Sequence, residues 1–355
     1  MLLLFACRAL AFDWTLIKYD GHDYVPLEDV AKFYSFTGVD YSRDTVNLTG
    51  TTLRMQGEVN SRDLYLNGLK FILSFPIIRV DDRILLSRMD LSKLVEPVLR
   101  PAKISGAPVR TVVLDAGHGG FDQGARGLLG NEKDFALDVV LRARDLLLQA
   151  GYNVRLTRSA DVFVPLEDRA AFANRQSRSI FVSVHFNSGA REDATGIETY
   201  SLAPRGVPST NDTIVSLADF QPCLGNMRDA ENIALATAMH TALITKLGVN
   251  DRGIKRARFI VLRDINIPGV LLEGGFLSNG QDQVRIATPV YRQILAQAIV
   301  RGVTSYNRAL RRSVASEELM VKRGDNPKQT APDGGASVWD PLRPNVYTLP
   351  EYGQK

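Results

Sequence analysis

Val112-Val113-Leu114-Asp115-Ala116-Gly117-His118-Gly119-Gly120 runs a short apolar stretch straight into a glycine-rich loop, and the chain changes character there. From Thr111 onward the pattern alternates between strand and helix, the rhythm of an α/β fold. Glu132 to Ala150 is predicted helical, with Phe135, Val139, Leu146 and Leu147 on one face and Gly151 as the stop. Val154 to Thr157 is a predicted strand, and Pro165 opens a short helix carrying Leu166, Ala170 and Ala173. Ile180 to Val184 and Ile197 to Leu202 are further strands, and Asp229 to Leu247 is a long helix ending at Gly248. Phe259 to Leu262 and Val270 to Leu272 are predicted to close the strand set, before a final helix from Pro289 to Arg311.

Upstream, residues 13–100 read as a small β-rich α+β domain of short strands and turns, with the hairpin dipeptides Asp20-Gly21 and Asn67-Gly68. Two strand-then-helix phrases stand out, one at Val25-Pro26-Leu27-Glu28-Asp29 and one at Leu85-Leu86-Ser87-Arg88-Met89-Asp90-Leu91. Residues 101–110, with Pro101 and Pro108, read as a linker, and 111–312 as the main domain. The polar residues 313–355, rich in Pro and Gly, are expected to be disordered. Residues 1–12 are apolar and end in Ala9-Leu10-Ala11, which reads as the remnant of a secretory signal. Leu4-Phe5-Ala6-Cys7 also resembles a lipoprotein box faintly. Between Ala203 and Arg228 lies a long stretch without sustained period, read as a surface insertion or a lid over the site. Were it a lid, deleting Val207 to Gly225 would raise activity.

Composition narrows the function. Charged residues make up 23% and hydrophobic residues 45% of the 355, as in a soluble globular protein. The net charge of +4 is a small excess of 43 basic over 39 acidic side chains, scattered rather than clustered, which argues against a nucleic-acid binder. With only Cys7 and Cys223, no disulfide framework is expected.

Two of the four histidines follow closely on predicted buried strands, His118 after the first and His185 in Ser183-Val184-His185-Phe186-Asn187. Glu273 likewise ends the strand Val270-Leu271-Leu272, and Glu132 opens the helix after the glycine loop. In a mainly parallel sheet these side chains converge on one edge, beyond the carboxyl ends of the strands. Two imidazoles and a carboxylate suit a catalytic zinc with one position open, and a further carboxylate nearby suits proton transfer. The alternative is a pair of isolated, hydrogen-bonded strand-end histidines, which leaves the loop glycines and Glu273 unexplained. His240, among Ala236, Leu243 and Ile244, reads as a core histidine, and His22 as a turn residue. Asp115 is either a partner of a zinc-bound imidazole or a strand-end cap.

The segments Leu114 to Gly120, Asn131-Glu132-Lys133, Ser183 to Asn187, Gly196-Ile197-Glu198-Thr199-Tyr200 and Pro268 to Asn279 resemble, in order and spacing, the zinc-dependent N-acetylmuramoyl-L-alanine amidases (amidase type 3). The resemblance covers about Thr111 to Arg312. It implies a mixed, mostly parallel sheet flanked by helices, one Zn2+ held by His118, Glu132 and His185, and Glu273 as catalytic acid/base. The implied reaction is hydrolysis of the amide between N-acetylmuramic acid and the L-alanine of the peptidoglycan stem peptide. The implied setting is periplasmic or secreted, and the expected chain is a monomer that binds peptidoglycan and no nucleic acid. Arg252 to Lys255 and Val261 to Arg263 also resemble family segments and are candidate substrate contacts. Gly274-Gly275 departs from the family, which more often has a bulkier residue before its glycine, and is expected to loosen that loop. The N-terminal phrases resemble the copper amine oxidase N-terminal-like domain, although no copper site is visible in them. The rival readings are another zinc amidohydrolase, such as a deacetylase or carboxypeptidase, and a wall-binding protein without catalysis.

Overall fold

The computed structural model describes residues 12–42, 44–101, 104, 106–212, 214–322 and 346–348. The signal reading at 1–12 therefore lies almost wholly outside the described residues, as do 323–345 and 349–355 of the expected tail. Among the described residues no helix is long and apolar enough to cross a membrane.

The N-terminal unit is built from nine short strands: β1 (Leu16–Tyr19), β2 (His22–Pro26), β3 (Gly38–Asp40), β4 (Thr45–Thr49), β5 (Arg54–Glu58), β6 (Asp63–Leu66), β7 (Leu69–Ile72), β8 (Ile78–Val80) and β9 (Arg83–Ser87). The helix Leu27–Phe33 follows β2, and helical turns from Arg88 to Leu99 follow β9, as the two strand-then-helix phrases predicted. His22 opens β2 immediately after the Asp20-Gly21 turn and stacks on Phe75 at 4.1 Å.

The second half supplies β10 (Thr111–Ala116), the small hairpin β11 (Arg126–Gly127) and β12 (Gly130–Asn131), β13 (Asn153–Leu156), β14 (Ser179–Asn187), β15 (Ile197–Leu202), β16 (Asp251–Ala257) and β17 (Gly269–Phe276). One eleven-stranded sheet has the order β13-β10-β14-β17-β15-β16-β7-β6-β5-β4-β3. Within its α/β half all neighbours are parallel except β15 against β17. Val112 to Ala116 and Ser179 to Val184 are buried residue by residue, because helices cover both faces of these strands. Helices Glu132–Gln149, Asp229–Leu247 and Pro289–Lys322 pack on one face, while Leu166–Asn174 and Ile260–Arg263 lie on the other.

Three expectations need correction. Ile260–Arg263 is a helical turn, and the strand is the preceding segment β16, whose basic residues hid it from a hydrophobic reading. The last helix continues to Lys322, and 346–348 pair in parallel with β1 as β18 (Val346–Thr348), where a disordered tail was expected from 313. The segment 101–110 is no free linker: Ile104 and Val109 are buried, and Val109 exchanges backbone hydrogen bonds with the Asn307 side chain.

The N-terminal unit is in fact docked. β7 extends the main sheet in parallel with β16 at Phe71 and Ile254, and apolar residues of both halves form one continuous core. Arg256, buried, donates to the Lys93 carbonyl, Lys93 pairs with Asp229, and Arg62 donates to the Thr210 carbonyl.

Candidate functional site

β10 ends at Ala116, and the chain turns so sharply that His118 takes a left-handed backbone (φ 58°). That conformation is uncommon for a residue with a Cβ and needs outside support. Arg169 provides it. Its guanidinium, fully buried, donates to the carbonyls of Ala116 (2.6 Å), His118 (2.7 Å) and Val164 (2.9 Å) and pairs with Asp115 at 2.8 Å. Arg158 grips the same turn through the carbonyls of Ala116 and Gly117, and also reaches Lys133 at the start of the next helix. Asp115 takes further hydrogen bonds from Thr157 and Ser183, both 2.6 Å. Burial raises its pKa, but Arg169 and the two hydroxyls outweigh burial and hold it below the ordinary carboxylate range.

Asp115 is thus an anchor for Arg169 and no partner of an imidazole. The partner of His118 is Asp122, whose Oδ2 lies 2.8 Å from Nδ1. That leaves Nε2 facing Glu132 Oε2 at 3.1 Å. Sequence reading missed Asp122, Arg158 and Arg169, though an aspartate four residues after a candidate ligand was a usable signal.

Glu132 sits in the first turn of its helix, below Asn131, and is buried. Oε1 accepts from the backbone N–H of Phe186 (3.1 Å) and lies 2.7 Å from His185 Nδ1, while Oε2 accepts from the N–H of Ala125 (2.8 Å). His118, Glu132 and His185 each offer a ligand atom, all within 4.8 Å of one another, and the two rings cross nearly edge to face. The sequence prepares this approach with glycine. A Cβ at Gly117 would come within 2.4 Å of the His185 ring, and one at Gly124 would strike both Glu132 Oε2 and His118. The cradle is therefore shaped to keep space between three ligand atoms, which fits a small cation.

The charges agree. Burial raises the Glu132 pKa, but its bonds to His118 and His185 overwhelm this and hold the carboxyl far below its usual range. Burial lowers the His118 pKa, yet Glu132 and Asp122 more than reverse that and draw a proton onto the ring. A site that attracts positive charge to its imidazoles without an ion is one a divalent cation can satisfy with the protons displaced.

Glu273 is in register with His185 across β14 and β17, and with Glu198 across β15 and β17. Its Oε2 is buried and has no hydrogen-bond partner among the described residues. Burial foremost, then the charges of Glu132 and Glu198, push its pKa well above the ordinary value. It is one strand over from a ligand, inside β17 rather than at its end. Gly274 does not loosen this stretch, since a Cβ there would press on Leu295 and Phe186, so the strand is closely packed. Beyond Glu273, Glu198 is buried and receives Arg252 and Lys255 on Oε1, and Asn187 and Tyr200 on Oε2.

His240 lies apart in the core, tying Thr199 to Asp251. The 203–228 insertion is rooted at the end of β15, which points away from the histidines because β15 runs antiparallel to β17. Val207 is buried and Arg258 clamps the insertion through Asp219 and the Pro204 carbonyl. Among the described residues no hydrogen bond or ion pair links it to His118, Glu132 or His185. Cys223 is a free cysteine.

The site is thus a His-Glu-His group that could hold a metal, carried on a mixed α/β sheet with a buried acid beside it. The chain belongs to the N-acetylmuramoyl-L-alanine amidase family, whose sequence profile matches residues 112–305. It is 31% identical over 227 residues to N-acetylmuramoyl-L-alanine amidase AmiA of Escherichia coli (strain K12), covering 58% of this chain and 78% of that one. It is 35% identical over 210 residues to the uncharacterized protein YqiI of Bacillus subtilis (strain 168), covering 59% and 91%. Among solved structures it is similar to the amidase AmiC2 of Nostoc punctiforme, with 33% identity, a TM-score of 0.48, and coverage of 57% of this chain and 99% of that one. The family match begins after the N-terminal unit, so the copper amine oxidase N-terminal-like resemblance is not carried by it.

Proposed function

We propose that this chain hydrolyses the amide between N-acetylmuramic acid and the first L-alanine of the peptidoglycan stem peptide, outside the cytoplasmic membrane, with one zinc ion held by His118, Glu132 and His185. The observation that carries this is the convergence of three ligand atoms within 4.8 Å beside a buried carboxyl oxygen that has no partner among the described residues. Zinc bound there supplies Lewis acidity toward the scissile carbonyl and makes water a usable nucleophile near neutral pH.

The chain's own residues do the rest. Asp122 holds the His118 ring with Nε2 turned inward, and the Phe186 and Ala125 N–H groups hold Glu132. Arg158 and Arg169 keep the His118 turn in its strained shape. Glu273 takes the proton of the attacking water and returns it to the departing alanine nitrogen. Its raised pKa suits the second step, and the carboxylate needed for the first would be favoured once the negative charge of Glu132 is engaged by a bound cation. The family membership supports this reading over a deacetylase, a carboxypeptidase or a wall-binding protein without catalysis. The domain limits 13–100 and 111–312 stand as part of the proposal, with the N-terminal unit as a docked binding or spacer module.

The test is digestion of intact peptidoglycan by wild type and Glu273→Ala, each with its zinc measured. Release of whole stem peptides with a free L-alanine amine by wild type alone, with zinc in both, supports the assignment. Zinc in both and release by neither, or release of acetate or single residues instead, overturns it.

A further inference from the structure

The register between β15 and β16 breaks beside the site. Ile197 faces Asp251 and Thr199 faces Ile254, so Arg252 and Gly253 together oppose the single residue Glu198. Gly253 absorbs the extra residue with a positive φ (91°), a conformation that favours glycine. Without the extra residue, Arg252 and Lys255 would point to opposite faces, since side chains alternate along a strand. With it, both reach the same oxygen, Glu198 Oε1, at 2.7 and 2.6 Å. Two cations thus share one buried carboxylate oxygen.

The Arg252 side chain is held but not used up. Nε is spent on Glu198 and the guanidinium lies over the Phe276 ring at 4.9 Å. The side chain stays one-third exposed, and no described residue accepts from its two terminal nitrogens. Asp193, the acidic group near it, is bound by Arg191. A planar fork fixed from behind and open in front is suited to a bidentate carboxylate. On the opposite flank of the His118, Glu132 and His185 group, Phe121 and Phe163 stack at 4.3 Å, Phe121 largely exposed and Phe163 less so, an apolar platform against Gly120.

We propose that Arg252 is a specificity-determining residue that binds a free carboxylate on the peptide side of the scissile amide, while the neutral sugar side lies toward Phe121 and Phe163. The proposal rests on the amidase reading above. Glu198 stands two strands from His185, ~10 Å along the sheet at ~4.8 Å per strand, and an extended peptide covers ~3.3 Å per residue. The carboxylate recognised therefore lies within about three residues of the cleaved bond, and we assign it to the second residue.

The experiment uses the zinc-loaded full chain and two matched substrates, muramoyl peptides whose second residue bears either a free carboxyl or the corresponding carboxamide. KM is measured for both with wild type, Arg252→Gln and Arg252→Lys. Binding of the two free peptides is measured separately by calorimetry on the Glu273→Gln protein, with and without Arg252→Gln. Wild type should prefer the acid by about tenfold or more in KM, the worth of one charge-assisted bidentate contact. Arg252→Gln should bring that ratio toward one, and Arg252→Lys, which keeps the charge on Glu198 without the fork, should fall between. A ratio in Arg252→Gln equal to that of wild type overturns the inference while leaving the amidase reading intact. Arg252-dependent binding of the acid peptide with no turnover by wild type keeps the anion site and overturns the amidase reading. Equal binding of acid and amide together with no turnover overturns both.

Discussion

Arg169→Met tests the claim that a buried ion pair holds the metal-ligand turn. The substitution keeps roughly the length of the side chain but removes every donor. It leaves Asp115 without its cation, and leaves the carbonyls of Ala116, His118 and Val164 each short of a hydrogen bond. Breaking a buried pair by removing one partner costs about 3–5 kcal/mol. Thr157 and Ser183 still serve Asp115, which favours the lower half of that range. Even so, the loss is a large fraction of the ~5–15 kcal/mol that stabilises a typical protein. The sign with pH follows from the carboxyl. In wild type its pKa is depressed, so its contribution is present above the unfolded value near ~3.9 and is lost as pH falls through the folded one. In the variant the largest counterweight to burial is gone, with the Thr157 and Ser183 hydroxyls remaining, so the folded pKa rises relative to wild type and the gap between the two proteins should widen from pH 3 to pH 7. Denaturant unfolding of the metal-free proteins across that range measures it, and chelator competition should show zinc affinity down about 10–100-fold. Adding Asp115→Asn to Arg169→Met should recover part of the loss, because it removes the stranded charge. A shift below ~1 kcal/mol at pH 7 with unchanged zinc affinity would refute the reasoning, since the His118 turn would then be held by something else.

In the metal-free protein Glu273→Gln should be more stable than wild type at neutral pH. The folded chain holds this proton to higher pH than the unfolded chain, which releases it above ~4.3, so wild-type stability falls as pH rises above that value and the advantage of the variant grows until the folded group also ionises. A variant that is less stable at pH 8 would contradict this. Chelation should lower the unfolding midpoint of wild type, and zinc at a hundred times its dissociation constant should restore ~2.7 kcal/mol. His118→Ala and His185→Ala should respond to neither treatment. Deleting Val207 to Gly225 exposes core around Val207 and strands the Arg258 guanidinium, so the expected product is a destabilised protein without faster peptidoglycan digestion. A folded deletion variant that digests faster would reinstate the lid.

The amino-acid order by itself determined the α/β rhythm after Thr111, because strands buried on both faces must be apolar throughout and their helices must end at residues such as Gly151 and Gly248. It also marked His118, Glu132, His185 and Glu273, since histidines and acids abutting buried strands and a glycine loop are expensive unless they converge on something. β16 was missed because Asp251, Arg252, Lys255 and Arg256 spend their charges on tertiary partners that hydropathy cannot see. The tertiary structure alone decided the antiparallel course of β15, which carries the root of the insertion away from the histidines. It alone joined the N-terminal strands to the main sheet through Phe71 and Ile254. It also decided the support of the site, where Arg169, some fifty positions from His118, holds that residue's carbonyl. The physical reason is common to all three. Local pattern encodes which residues avoid water, whereas the choice of partner for a buried charge or a sheet edge is set by long-range packing, and no window of sequence contains both partners.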